Sequence, residues 1–164
     1  MRKLCSALGA MVLGSIVLFG TFLMGMRTKH PAVQDRVRQF NKRVGNPRML
    51  RTAGQPGAWA SIVRHTGRTS GNVYETPVEA TPIDDGFVIP LPYGATSDWV
   101  KNVIANGRAT LVRDGETFEV NEPEIVPTLD VAEVLPEREQ KMLKVFDVTD
   151  CLQLHRVALV AAAG

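Results

Sequence analysis

The feature that most constrains this chain is an uncharged run of 23 residues near its start, from Leu4 to Met26. As a helix rising about 1.5 Å per residue, the run would be roughly 34 Å long, enough to cross a hydrocarbon core of about 30 Å with some tilt. No second stretch approaches the ~20 apolar residues of another span. The sequence therefore predicts one N-terminal membrane anchor within residues 1–30 and excludes a polytopic transporter.

A cleaved signal peptide is the competing interpretation, because Arg2 and Lys3 precede the apolar run. The run is longer than the roughly 7 to 15 residues of a secretory core, and no A-x-A cleavage pattern follows it. These two features favour a retained anchor. Lys and Arg are more numerous after the run than before it, so the positive-inside rule predicts a cell-membrane protein whose C-terminal domain is cytoplasmic.

Charge divides the chain into two parts. Residues 1–51 carry ten Lys or Arg and one acid, a net of +9, and residues 52–164 carry nine Lys or Arg and sixteen acids, a net of −7. The basic charge adjoins the apolar run and the remainder is acidic, which argues against a nucleic-acid binder. Membrane lipid is the partner that this arrangement favours.

Residues 31–51 are predicted to form a basic amphipathic helix and the first part of a linker that runs from Gly45 to Gly57. Pro31 is a common first residue of a helix, and an apolar stripe recurs at helical spacing up to Val44. The stripe consists of Val33, Val37, Phe40 and Val44, and the other face carries Arg36, Arg38, Lys42 and Arg43. The helix either lies on anionic headgroups or docks on its own domain, and its place after an anchor favours the membrane surface.

Residues 52–164 are predicted to form one mainly β domain with flanking helices, a small β-barrel of the α+β class. Asp114-Gly115 between two apolar runs is a strong hairpin signal. Helices are expected over Ser97–Asn106 and Glu137–Phe146. The expected strands are Ala60–Arg64, Val73–Ala80, Gly86–Leu91, Ala109–Arg113, Glu116–Val120, Glu124–Val126 and Cys151–Val160. The last could close the barrel or pair across a homodimer.

Common catalytic constellations are absent from the sequence. The three histidines are isolated and no Cys pair has ligand spacing, so no metal site is expected. Cys5 lies in the predicted span and Cys151 in an apolar strand, where Cys usually behaves as a small hydrophobe. Asp84-Asp85 lies between Pro82 and Gly86, which is typical of a solvated turn. An enzyme with this composition would need a cofactor to supply its reactivity.

The most informative local motif is the segment from His65 to Gly71, with the sequence HTGRTSG. Two glycines, two hydroxyls and a guanidinium between two strands could offer backbone N–H groups and side-chain donors to a phosphate. The spacing does not match a Walker A loop. A plain hairpin turn with an exposed Arg is about equally consistent with these residues.

Five motifs in order give the sequence a family resemblance. They are IVRHTGRTSG at 62–71, TPV at 76–78, LPYG at 91–94, DWVKNV at 98–103 and ANGRA at 105–109. This set resembles the mycobacterial-type deazaflavin-dependent nitroreductases, a nitroreductase and quinone reductase family. The resemblance implies an FMN-binding-like split β-barrel that binds the deazaflavin coenzyme F-420. It also implies hydride transfer to a lipophilic acceptor, either a quinone or a nitro compound.

The resemblance also implies site residues. The turn would hold the phosphate tail of the cofactor, Pro77 and Val78 would lie beneath its ring, and Trp99 would wall the pocket. Asn102 would orient its helix, and Tyr93 is the expected hydrogen-bond donor near the acceptor. The full cofactor-binding set is Arg64, Gly67, Arg68, Thr69, Ser70, Gly71, Pro77, Val78, Trp99 and Asn102.

Two other functions fit the same sequence. A relative of the same barrel class would use FMN in place of the deazaflavin. A binding module that has lost catalysis would hold a cofactor, a lipid or a partner at the membrane. The turn and Trp99 favour the enzyme.

Overall fold

The computed structural model describes residues 20–22, 24–25 and 27–157 of the 164-residue chain. One seven-stranded antiparallel sheet forms the centre of the domain, with strand order β2-β1-β5-β6-β7-β4-β3. Short helices flank this sheet. The expectation of a mainly β domain with flanking helices is therefore confirmed.

The strands are β1 Ser61–Thr66, β2 Val73–Val78, β3 Thr81–Ile83, β4 Gly86–Pro90, β5 Arg108–Arg113, β6 Glu116–Pro127 and β7 Asp150–Arg156. The helices are α1 Pro31–Phe40, α2 Asn46–Met49, α3 Asp98–Asn106, α4 Thr128–Val131 and α5 Glu137–Phe146. A π-helical stretch, Asn41–Gly45, joins α1 to α2, and a 3₁₀ turn, Ala132–Val134, follows α4.

The sheet curls until its two edge strands meet at one end. In a flat sheet β2 and β3 would lie six strand spacings apart, or roughly 29 Å. Only Glu79 and Ala80 separate Val78 of β2 from Thr81 of β3, so these two ends are at most about 11 Å apart. Arg113 Nε also donates to the Ala80 carbonyl at 3.0 Å. The sheet is therefore a nearly closed barrel that opens between two consecutive strands.

The barrel interior is one continuous apolar core. It receives side chains from strands β1, β2, β4, β5, β6 and β7, and α3 adds two fully buried residues, Val100 and Val103. Trp99 and Phe118 pack against this core from its margin. Because α3 lies against the core along one face, its remaining face is free to contact the β1–β2 turn.

A second, smaller core lies under α5. Leu143 of this helix packs with Val88 and Cys151, and the Glu139 carboxylate is buried beside it. The Thr81 hydroxyl donates to that carboxylate at 3.0 Å. Burial raises the pKa of the Cys151 thiol, in agreement with its expected role as a small buried hydrophobe.

Several predicted elements differ from the observed ones. Strands predicted at Glu116–Val120 and Glu124–Val126 are one long strand, β6, with an irregularity between Asn121 and Glu124. Strand β3 and helices α2 and α4 were not expected, because each is too short to show periodicity. Ser97, the first residue of the predicted helix, is the N-cap of α3, but its hydroxyl donates to the Gly94 carbonyl instead of capping the helix.

The pairing of the final strand decides between closing the barrel and pairing across a homodimer. β7 pairs with β4 on one side and with β6 on the other, so it lies inside the sheet. It therefore closes the barrel, and the described part of it has no free edge for a partner chain. Residues 158–160 of the predicted strand lie outside the described residues.

The predicted amphipathic helix forms and contacts its own domain. Arg38, expected on the outer face, instead donates through Nη2 to the Tyr93 carbonyl at 2.8 Å. Asn41 Nδ2 donates to the Tyr93 hydroxyl at 2.8 Å. Segment 45–57, expected to be a linker, continues the helix to Met49 and then forms turns. These contacts fit the docked alternative, and Phe40 stays 59% exposed.

The predicted span, Leu4–Met26, lies almost entirely outside the described residues. Within the part of the chain that is described, no helix has the length and apolar character needed to cross a membrane. Arg27 contacts the end of α5, because its Nη1 donates to the Lys144 and Val145 carbonyls at 3.2 Å. The division into residues 1–30, 31–51 and 52–164 stays a prediction.

Candidate functional site

The HTGRTSG segment forms the tight connection between β1 and β2. Gly67 N–H donates to the Asn72 carbonyl at 2.8 Å, and Gly71 N–H donates to the Gly67 carbonyl at 2.9 Å. Gly71 has a φ of +69°, a left-handed conformation that glycine adopts without steric cost. The turn residues Arg68, Thr69 and Ser70 are exposed. The turn therefore stands at one end of the barrel with its side chains accessible.

Arg68 joins this turn to helix α3. Its Nη2 lies 3.1 Å from Asp98 Oδ1, and its Nη1 donates to Asn102 Oδ1 at 2.7 Å and to the Asp98 carbonyl at 3.3 Å. The backbone N–H of Arg68 also donates to Asn102 Oδ1, at 3.2 Å. Two elements that are distant in sequence are thus fixed against each other by one side chain.

Asn102 extends the network into the barrel. It is buried, and its Nδ2 lies 3.2 Å from Nδ1 of His65, whose Nε2 lies 3.1 Å from the Thr76 hydroxyl. Burial lowers the pKa of His65. A neutral imidazole that accepts at Nδ1 and donates at Nε2 satisfies both contacts. The prediction that Asn102 orients α3 fits this geometry.

The other predicted ring contacts lie where core packing alone would put them. Val78 is buried in the main core, Pro77 is half-buried in β2 opposite Ile62, and Trp99 is half-buried at the margin of the core. Trp99 directly follows Asp98, the acid that pairs with Arg68. The roles of these three residues toward a ring stay predictions.

A cavity of about 350 Å³ adjoins the candidate site on the side of β5. Arg64 lies on its wall, but Arg64 Nε also forms an ion pair with Glu75 Oε1 at 2.7 Å. Arg108 lines the same cavity, and among the described residues it forms no ion pair. Glu119 is on the wall too, where it accepts from the Thr110 hydroxyl at 3.0 Å.

Tyr93 lies apart from this network, in the loop that follows β4. Its phenol is half-buried, and burial raises its pKa. Its hydroxyl accepts a hydrogen bond from Asn41, and no other described residue accepts the hydroxyl proton. Tyr93 lines a cavity of about 480 Å³ together with Phe22, Arg36, Val37, Phe40 and Asn41. The sequence motifs gave no sign that residues 36–41 would reach this loop.

Several solved structures resemble this chain at low sequence identity. No family model matches the sequence, and no curated protein matches it. An F420-H2-dependent reductase, FDR-A, is 14% identical, with a TM-score of 0.42 over 59% of this chain and 94% of that one. The expected resemblance to deazaflavin-dependent reductases is thus matched by a neighbour of that description.

Two further solved structures of similar fold have other descriptions. An FMN-binding protein from Syntrophomonas wolfei subsp. wolfei is 14% identical, with a TM-score of 0.39 over 75% of this chain and 92% of that one. A domain-swapped dimer is 11% identical, with a TM-score of 0.45 over 74% of this chain and 98% of that one. At these identities and TM-scores, the function of this chain has to be argued from its own residues.

The turn retains donors that fit an anionic tail. Arg68 carries five N–H donors, and its described contacts use three of them. Among the described residues, no partner takes the backbone N–H groups of Thr69 and Ser70 or the Thr69 hydroxyl. Asp98 competes for Arg68, but its side chain is 85% exposed and free to rotate away. The residues present therefore fit a phosphate-bearing cofactor.

Sequence reasoning missed some partners in this region. His65, treated as isolated, bridges Asn102 and Thr76, and Tyr74 stacks on its ring at a centroid distance of 5.9 Å. The alternation of β1 gave the signal, because His65 falls on the same face as buried Val63.

Outside the site, His155 Nδ1 lies 2.9 Å from Asp85 Oδ2, so His155 is not isolated as the sequence suggested. Asp84 and Asp85 form the turn between β3 and β4, and the Asp85 side chain is 62% exposed, as expected of a solvated turn. The described residues include no cluster of His, Cys, Asp and Glu that could hold a metal.

Proposed function

We propose that this protein is a membrane-anchored oxidoreductase that uses a reduced deazaflavin coenzyme to reduce a lipophilic acceptor, either a quinone or a nitro compound. One observation carries the proposal. The β1–β2 turn and the start of α3, which are separate motifs in the sequence, meet through Arg68 at one end of the barrel. FMN is the alternative cofactor of the same fold.

The chain's own residues would divide the work as follows. The Thr69 and Ser70 N–H groups and the remaining donors of Arg68 would bind the anionic tail, and Trp99 would limit access of water to the ring. When bound, the cofactor supplies the hydride. The protonated Tyr93 hydroxyl would donate a hydrogen bond to the oxygen of the acceptor, where negative charge develops. A raised pKa keeps this hydroxyl in its donor form.

An anchor suits this chemistry because the acceptor dissolves in the bilayer. The uncharged run Leu4–Met26 supports the anchor, and the net charge of +9 on residues 1–51 supports a cytoplasmic domain held near anionic lipid. A domain held at the surface meets its substrate without extracting it through bulk water.

The first test is a titration of the full chain in detergent micelles with the oxidised deazaflavin, followed by absorbance and fluorescence. The informative variant is Asp98→Asn, which releases Arg68 from its acidic partner at little cost, because Asp98 is exposed. The matched control is Asp35→Asn, which removes the same charge beside Arg38. We expect Asp98→Asn to tighten binding by roughly three- to tenfold, or about 1 kcal/mol, and Asp35→Asn to change it by less than twofold.

Failure of the wild-type chain to bind the deazaflavin saturably would refute the proposal in its leading form. If FMN binds saturably and the deazaflavin does not, the proposed reaction uses FMN as its cofactor. Equal affinities for Asp98→Asn and wild type would show that Arg68 does not contact the tail.

A second candidate function is a binding module that holds a cofactor or a lipid without turnover. It is favoured by the pairing of both candidate cations, since Arg64 is bound to Glu75 and Arg68 to Asp98. The two functions separate in one assay. The reduced deazaflavin is mixed with protein and a quinone or a nitroaromatic compound, and the reoxidation of the cofactor is followed by absorbance. Binding without protein-dependent reoxidation would identify the module.

A further inference from the structure

The net charge of the barrel opposes the cofactor that it is proposed to bind. Residues 52–164 carry nine Lys or Arg and sixteen acids, a net of −7, and Arg68 of the β1–β2 turn is paired with Asp98 at 3.1 Å. The phosphate tail of a cofactor is anionic and binds best where cations and N–H donors converge. An unpaired cation beside this turn would therefore strengthen the site, wherever in the chain it comes from.

The basic helical segment that begins with α1 reaches from the loop after β4 to strand β2. Asn41 Nδ2 donates to the Tyr93 hydroxyl at 2.8 Å, which fixes the start of the π-helical stretch Asn41–Gly45. Helix α2, which directly follows this stretch, contacts β2. Lys42 and Arg43 thus lie between the Tyr93 loop and the edge strand that leaves the β1–β2 turn.

Tyr74 of β2 links Lys42 to the turn. The Tyr74 hydroxyl lies 3.1 Å from the Ser70 hydroxyl, and its ring packs on Gly67, where a Cβ would come within 2.8 Å of the ring. Hydrogen bonds with Ser70 and Asn72 lower the pKa of Tyr74, and the positive charge of Lys42 lowers it further. The ammonium group of Lys42 therefore acts on the side of the turn that carries the Ser70 hydroxyl.

Among the described residues, Lys42 has no acidic partner. Its side chain is exposed, and it takes part in no described ion pair. The sequence between Asp35 and Glu75 contains no acid. Glu75 is paired with Arg64 at 2.7 Å and lies on the opposite face of β2 from Tyr74, because neighbouring residues of a strand alternate. The charge of Lys42 is therefore open to an anion that binds at the turn.

From these contacts we infer that Lys42 is a further ligand of the cofactor's phosphate tail, and that it completes one anion site with the Thr69 and Ser70 N–H groups of the turn. The inference rests on the proposed function and adds a residue to its cofactor site. An anion at the turn gains an unpaired cation there, beside the Arg68 guanidinium that Asp98 already pairs. The basic half of the chain thus supplies a charge that the acidic barrel lacks.

The first measurement needs no cofactor. In a Tyr93→Phe background Tyr74 is the only tyrosine of the chain, so titration by ultraviolet absorbance reports its phenol alone. Lys42→Gln removes the positive charge and should raise the pKa of Tyr74, whereas Lys42→Arg keeps the charge and should leave it almost unchanged. Arg43→Gln, which removes the neighbouring exposed charge, is the matched control and should cause the smaller shift.

The second measurement is binding of inorganic phosphate to the full chain in detergent micelles, read from the amide NMR signals of Thr69 and Ser70. We expect Lys42→Gln to weaken binding by roughly threefold to fivefold, Lys42→Arg to restore most of the affinity and Arg43→Gln to change it by less than twofold. The oxidised deazaflavin should show the same ranking. The same deazaflavin without its phosphate tail should bind all of these variants equally.

Equal losses in Lys42→Gln and Arg43→Gln, or no loss in Lys42→Gln, would overturn the inference, because Lys42 would then be part of a diffuse basic surface. An unchanged pKa of Tyr74 in Lys42→Gln would overturn it as well. If phosphate binds with the expected ranking and the deazaflavin does not bind, the anion site stands and the proposed function fails. No phosphate binding by the wild type would overturn the inference, and saturable deazaflavin binding in the same preparation would leave the proposed function intact.

Discussion

Replacing Asn102 by Leu tests the network that joins the β1–β2 turn to α3. The substitution keeps the number and branching of the side-chain heavy atoms but removes three hydrogen bonds, to Arg68 Nη1 at 2.7 Å, to Arg68 N at 3.2 Å and to His65 Nδ1 at 3.2 Å. A bond to a charged donor contributes about 1.5 to 3 kcal/mol and a neutral one about 1 kcal/mol. Water can replace part of the loss at Arg68, whose side chain is 36% exposed. We therefore expect a loss of about 3 kcal/mol in the free energy of unfolding.

For a chain of this size, each kcal/mol shifts the unfolding temperature by about 3 to 4 °C, so Asn102→Leu should lower it by roughly 10 °C. Thermal and urea unfolding followed by circular dichroism measure both quantities. Lys101→Ala is the control, since Lys101 is exposed on the same helix and should stay within about 0.5 kcal/mol of wild type. A decrease below about 3 °C for Asn102→Leu would contradict the reasoning.

Asn102→Asp tests whether residue 102 controls the pKa of His65. The carboxylate keeps both acceptor contacts to Arg68, but it has no N–H for His65 Nδ1, so the imidazole must carry a proton there to restore the contact. The pKa of His65, lowered by burial in the wild type, should therefore rise in this variant. Proton NMR titration of the imidazole measures it. An unchanged pKa would show that residue 102 does not control the protonation of His65.

Two further predictions concern stability. Burial and the nearby Glu79 carboxylate raise the pKa of Glu139 above 4.5, so the folded state holds more protons just above that pH and stability falls as pH rises through this window. Glu139→Gln should stabilise the protein at pH 7 and flatten that part of its pH profile, which urea unfolding at several pH values would show. Gly86→Ala should prevent folding or cost about 3 kcal/mol or more, because a Cβ there would meet the Leu154 carbonyl of the neighbouring strand. Gly45→Ala is its helical control: a Cβ there would meet only the Oδ1 end of the Asn41 side chain, at 3.0 Å, and the lower backbone entropy of alanine offsets part of that contact, so the free energy of unfolding should change by less than about 1 kcal/mol. Equal effects of the two substitutions in thermal unfolding would contradict the packing argument.

Local patterns predicted the elements that depend on neighbouring residues. Asp114-Gly115 indicated a hairpin, and both residues have positive φ values, 52° and 82°. Glu137–Phe146 is the helix predicted directly after Pro136, and Gly107 ends α3 in the left-handed conformation expected of a C-terminal glycine. These features succeed because a turn or a helix satisfies its backbone within a few residues.

Local sequence patterns did not predict the side-chain contacts between elements that are distant along the chain. Arg68 was expected to be a free donor, but it pairs with Asp98, 30 residues away, because the curled sheet brings the β1–β2 turn against α3. Arg38 was expected to face outward, but it binds the Tyr93 loop, 55 residues away. Each contact depends on the placement of whole elements, which no short window of sequence contains.

The sequence by itself determined the uncharged N-terminal run, the division of charge and the positions of most of the longer strands and helices, since these follow from composition and from periods of two and 3.6 residues. Tertiary structure decided which charges are paired, where the sheet opens and which side chains surround Tyr93. The physical reason is that side-chain partners are set by long-range strand pairing and helix docking. Asn41 shows this most directly: nothing in its neighbourhood along the chain distinguishes it, yet folding places its amide 2.8 Å from the Tyr93 hydroxyl.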